Sequence, residues 1–193
     1  MENVFICFVK ESTWYGKIIR KVTSGSINHT FFIFRSNEWN DWCAIDIDYR
    51  GVIQVAATST LKDVVKLRCF YCKTHDLTKG ILAHKNLLGK KYDFASIFGS
   101  LLKVIAKKWF HKTIKNPVDN KHKYICSEYL TMCIAASGIE WASFMDFNSV
   151  QPEELLEEVL DRDWQWGEIQ GNVPELLRKR TFTEYLKQEG LIA

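Results

Sequence analysis

"HTFFIFRSNEWNDWCAIDIDYRGVIQVAA", residues 29–57, decides the fold. It holds three runs rich in aromatic and β-branched residues, at 29–34, 42–48 and 52–57, which read as strands. Tyr49, Arg50 and Gly51 form a turn between the second and third. Strict alternation in 44–48 puts Asp46 and Asp48 on one face of the strand and Ile45 and Ile47 on the other.

Working outward, "NVFICFV" (3–9) reads as a buried strand and "VVKLRCFYC" (64–72) as another. Between the first of these and residue 29, Trp14, Ile18, Ile19 and Val22 fall at helical spacing within 13–24, and "GSIN" supplies a turn. Downstream the period lengthens. Residues 74–90 read as a helix closed by Gly89, and 91–110 are helical for much of their length. "CSEYLTMCIAASG" (126–138) is a helix ended by Gly138, with Cys126, Leu130, Cys133, Ile134 and Ser137 as its inward stripe. Pro152 opens a helix whose first turn is acidic, and Thr181 with Glu184 offers a capping box for a last one. Strands come early and helices late. That order predicts an α+β fold and not βαβ repetition.

At 193 residues the chain suits one domain with at most a modest extension. Its 47% hydrophobic and 25% charged content is that of an ordinary globular protein, and 7 Trp promise a large core or an aromatic-lined cleft. The net charge of +3 is too small to argue for nucleic acid, so no nucleic-acid partner is expected. The first residues lack a basic n-region, and no stretch has the roughly 18 apolar residues of a membrane span. With 6 Cys and no secretory signal, the expectation is reduced thiols and, by default, a cytoplasmic location.

Three groups of residues carry chemistry. Cys126 stands where a helix begins, a place at which free backbone N–H groups and the macrodipole favour a thiolate. His29 opens a strand, and Asp46 or Asp48, one strand later, could orient its ring. Read alone, the same residues make a core thiol and a strand-edge histidine, and spacing by itself favours that reading. "CFYC" (69–72) with His75 has the start of a zinc spacing but no second pair to complete it, and it ends a strand where a redox CxxC opens a helix; no metal is expected. Residues 103–123 hold seven lysines and two histidines against Asp119 alone, with Trp109 and Phe110 interleaved. That reads as a solvated face that could rim a cleft leading to Cys126. Phosphate-binding glycine loops and HExxH are missing, so nucleotide and zincin readings have no support and no cofactor is expected.

Taken together, "SGSINHTFFIF" (24–34), "AIDIDYRGV" (44–52), "LGKKYDF" (88–94), "YICSEYL" (124–130) and "SVQPEEL" (149–155) resemble the YiiX/YebB-like group of the circularly permuted NlpC/P60 superfamily of papain-like cysteine hydrolases. The order of histidine, polar residue, then cysteine is the permuted one. The resemblance covers about residues 1–160. It implies a papain-like antiparallel sheet packed against helices, with 161–193 as a helical extension on the same domain. It also implies Cys126 as nucleophile, His29 as general base and a polar third residue, for which spacing back from Gly51 favours Asp46 over Asp48. Tyr92 and Ser127 become candidates for the oxyanion or substrate contact. The expected reaction is cleavage of a peptide or cell-wall amide. A lipid acyltransferase or hydrolase of the same fold, and a non-catalytic viral or phage structural protein, are the alternatives; such proteins could be virion-associated or delivered to a cell envelope.

Overall fold

The computed structural model describes residues 2–13, 16–17, 20–21, 25–48, 50–90, 125–147, 150–170, 172–178 and 182–192. The anticipated helix at 13–24 is described only at 16–17 and 20–21, which are helical. The helix expected at 91–110, the lysine-rich stretch, Tyr92 and Thr181 lie outside the described residues.

The strands are β1 (Glu2–Glu11), β2 (His29–Ser36), β3 (Asp41–Asp48), β4 (Gly51–Ala56), β5 (Val64–Cys72) and a short β6 (Trp166–Glu168). They form one sheet in the order β4-β3-β2-β1-β5-β6, every neighbouring pair antiparallel. The helices are α1 (Ala57–Thr60), α2 (Leu77–Ala83), α3 (Cys126–Ala136), α4 (Glu140–Ser143), α5 (Pro152–Leu160), α6 (Val173–Arg178) and α7 (Phe182–Gln188). The helix expected over 74–90 is shorter. Asp76 caps it, its carboxylate accepting from the Thr78 N–H at 2.9 Å, and α2 ends at Ala83, followed by a 3-10 turn at Lys85–Leu87. Gly89 then takes φ +83° and donates its N–H to the Val52 carbonyl at 2.8 Å, tying this segment to edge strand β4.

The central strands read as near-continuous apolar runs because both faces of the sheet are covered. On the first face Ile6, Phe8, Phe32, Phe34, Ile45 and Phe70 meet Leu77 and Ile81 of α2, Tyr129, Leu130, Cys133 and Ile134 of α3, and Leu155, Leu156 and Val159 of α5. On the second, Phe5, Cys7, Val9, Phe31, Ile33, Trp42 and Cys69 meet Val173 and Leu177 of α6 and Phe182 and Leu186 of α7. The Trp42 and Phe182 rings lie 4.8 Å apart, and the Trp42 indole N–H donates to the Thr183 hydroxyl at 2.8 Å.

Residues 161–193 therefore do more than the helical extension expected of them. They supply a strand as well as helices, and their helices cover the second face. The chain runs from Leu160 through a turn into β6, which pairs with β5 across Tyr71↔Gly167 and is clamped by the two-pronged ion pair of Arg68 with Glu168, at 2.6 and 2.7 Å.

Candidate active site

β1 ends, β2 begins and β3 ends at one end of the sheet, which collects polar side chains there. His29, the first residue of β2, and Asp46 of β3 are both buried, and the ring Nε2 lies 2.6 Å from the Asp46 carboxylate. The spacing ambiguity between Asp46 and Asp48 is resolved by what each touches. The β2–β3 register, Phe32↔Ile45 onward, sets Asp48 level with His29 and Asp46 two residues further in. Asp48, however, is turned to Arg50: its carboxylate accepts from the Arg50 backbone N–H at 2.7 Å and from the guanidinium at 2.6 Å. The buried diagonal neighbour takes the histidine. The Ile47 N–H donates to Asp46 at 2.7 Å and fixes the carboxylate's rotamer.

Burial by itself would push the His29 imidazole toward the neutral form. The Asp46 carboxylate, the Cys126 thiol and the Glu11 carboxylate together outweigh it, and the ring's pKa stands well above its ordinary value. Burial works against ionised Asp46 too, but His29 and the Ile47 N–H more than offset it and hold its pKa below the ordinary carboxylate value. At neutral pH the two are a buried ion pair.

Cys126 is the first residue of α3, behind an extended Ile125, and is nearly buried, with 5% of its surface accessible. Its thiol is near enough to act on His29 electrostatically. The two polar residues after Cys126 hold the helix start in place. Glu128 reaches back to accept from the Ile125 N–H at 3.3 Å, the N-terminal half of a capping box. Ser127 is fully buried, and its hydroxyl donates to the Val150 carbonyl at 2.6 Å. That bond ties α3 to the segment before α5. Tyr92 lies outside the described residues.

Sequence reasoning missed Glu11. This last residue of β1 shares strand parity with Val9, which pairs with His29, so it lies on the same face and diagonal to the ring. His29 is thus flanked by a carboxylate on each neighbouring strand. Glu11 is buried; its N–H donates to Asn28 Oδ1 at 3.0 Å, its carbonyl accepts from Arg20 at 2.8 Å, and its carboxylate accepts from Thr13 at 3.4 Å. Burial first, then Asp46 and Asp63, push its pKa up, against the pull of His29 and Thr13. The available signal was an acid closing an otherwise apolar strand on its inward parity.

These strands, their order and the helix carrying Cys126 compare with solved structures. The metalloprotein YiiX from Escherichia coli O157:H7 superposes on 89% of this chain and 97% of its own, with a TM-score of 0.58 at 12% identity. The fold is YiiX-like. No family model matches the chain, and no curated protein matches it. The match covers 89% of the chain, more than the stretch of about residues 1–160 that the motifs span. The end of the sheet where His29, Asp46 and Glu11 gather is thus part of a YiiX-like fold. Among the described residues no three His, Cys, Asp or Glu side chains are grouped to hold a metal ion. No described helix is long and apolar enough to cross a membrane.

Proposed function

We propose that this chain is a cysteine hydrolase acting on an amide bond. Cys126 is the nucleophile, His29 the general base and acid, and Asp46 the group that orients and charges the imidazole. The observation that carries the reading is the 2.6 Å bond from His29 Nε2 to buried Asp46, made while the Cys126 thiol at the start of α3 acts on the same ring. A structural histidine needs one partner; one held by a carboxylate, with a thiol at a helix N-terminus within electrostatic reach, has the parts of an acyl-transfer site.

In the first half-reaction Cys126 attacks the substrate carbonyl carbon as a thiolate, its proton held on the His29 imidazolium. The oxyanion so formed meets the free backbone N–H of Cys126 in the first turn of α3. The C–N bond then breaks, the leaving nitrogen takes the proton from the imidazolium, and a thioester remains. In the second half the neutral His29 removes a proton from water, hydroxide attacks the thioester, the C–S bond breaks to release the acid, and the Cys126 thiolate and His29 imidazolium are restored. Glu11 faces the imidazolium from the other side and adds to its charge stabilisation.

The substrate class we assign is a peptide amide, peptidoglycan stem peptides included. The aromatic argument for a lipid substrate loses Trp42, which is core, although Trp39 is half exposed. The description of YiiX names a metalloprotein; among the residues described here no three donor side chains are grouped for one ion. The test is alkylation by iodoacetamide at pH 7, followed thiol by thiol by mass spectrometry. Cys126 should react about ten-fold faster than the half-buried Cys72, and His29→Ala should remove the difference. Equal rates in the wild type would sink the reading.

A further inference from the structure

We propose that Cys7 and Cys69 are a redox modification site: a dithiol set to close into a cross-strand disulfide between β1 and β5. The two residues are register partners in the middle of an antiparallel pair. The Cys69 carbonyl accepts from the Ile169 N–H at 2.8 Å, so the peptide groups of Cys69 point toward the β6 edge and away from β1. Cys7 and Cys69 are consequently a non-hydrogen-bonded pair, the kind whose Cα atoms stand about 4.5 Å apart with the side chains closest. That spacing lies within the range of about 4.4–6.8 Å that a disulfide spans without moving the backbone. Both side chains point to the second face of the sheet, where α6 and α7 cover them, and each is at most 1% exposed. The thiols face each other, and burial together with the neighbouring Cys69 thiol holds Cys7 well above the ordinary thiol pKa. No other described pair of the six cysteines is opposed across a ladder.

A peroxide supplies the oxidation. The first thiol attacks the peroxide oxygen, becomes a sulfenic acid and releases one water. The second thiol displaces the sulfenic hydroxyl, forming the S–S bond and releasing a second water. Two thiols lose two electrons, and the peroxide gains them. Because the thiols are buried, the reaction is slow in the folded protein, but the product is equally shielded from reduction by small thiols. The bridge would close residues 8–68 into a loop that contains both His29 and Asp46, stapling that half of the site while leaving α3 and Cys126 outside it.

The experiment treats the folded chain with hydrogen peroxide, blocks the remaining thiols with N-ethylmaleimide in denaturant, and maps non-reduced tryptic peptides. Trypsin leaves Cys69 and Cys72 in one peptide, so Cys72→Ser is run in parallel. The expected result is residues 1–10 joined to 69–73 in both proteins, a melting temperature raised by several degrees, and loss of both effects in Cys7→Ala. Cys7 and Cys69 recovered as free thiols after half-buried Cys72 is fully oxidised would overturn the proposal. So would a Cys69–Cys72 bridge, or a Cys7 link that disappears in Cys72→Ser.

Discussion

His29 is where charge, burial and chemistry meet, and its two carboxylates can be separated by experiment. Its pKa is raised, so the stability it contributes is complete below the ordinary histidine value of 6.5 and is lost as pH rises through the folded value. That of Asp46 is lowered, so its contribution is complete above 3.8 and is lost as pH falls through its depressed folded value. Denaturant unfolding across pH should therefore show the pair contributing most between these two ordinary values. Asp46→Asn should cost about 3 kcal/mol near pH 6 and flatten that profile, because it strands a buried charge. Glu11→Gln should lower the midpoint of the His29 ring titration followed by NMR while leaving the Asp46 contact in place; an unchanged midpoint would show that Glu11 has no hold on the imidazole. At this scale the sequence showed Cys126, His29 and the choice between two aspartates. Alternation set both aspartates on one face, and only the Arg50 contact of Asp48 separates them. Glu11 was hidden because its role depends on the β1–β2 register, which no local pattern encodes.

At the scale of elements, the position of α3 is set by two close contacts. An added Cβ on Gly80 of α2 would stand 1.8 Å from the Cys133 carbonyl oxygen, and the Gly80 N–H donates to the Ser137 hydroxyl at 3.1 Å. Gly80→Ala should push the helices apart and cost about 3 kcal/mol in chemical denaturation, since backbone faces side chain with no room to yield. At the other end, Ser127→Ala should cost about 1–3 kcal/mol by leaving the buried Val150 carbonyl without its donor. Its Cys126 alkylation rate should stay close to the wild-type value; a large loss would return Ser127 to the substrate contacts. Most elements were legible as runs of one period, yet α3 is buried beyond its apolar stripe, at Ser127, Tyr129 and Thr131 as well. β6 escaped notice because three residues, one of them Gly167 beneath the Tyr71 ring, carry no periodic signal.

For the whole molecule, the decisive feature is that the sheet is filled from both sides. A chain ending at Leu160 would bare Phe5, Phe31, Ile33 and Trp42 and remove the strand beside β5. Such a chain should lack a cooperative thermal transition and aggregate, whereas a dispensable extension would leave the melting curve intact. The motifs placed the boundary at about residue 160 because they lie before it. Packing does not respect that line. The same layering bears on how the protein is made. A ribosome working along this message finishes β1 to β5 long before it reaches Phe182 and Leu186. Throughout that interval the nascent sheet offers an uncovered aromatic face of the kind that holdase chaperones recognise. Slow codons between Cys72 and Val173 would lengthen that exposure, and the yield of folded protein would depend on translation speed there more than within the strands themselves.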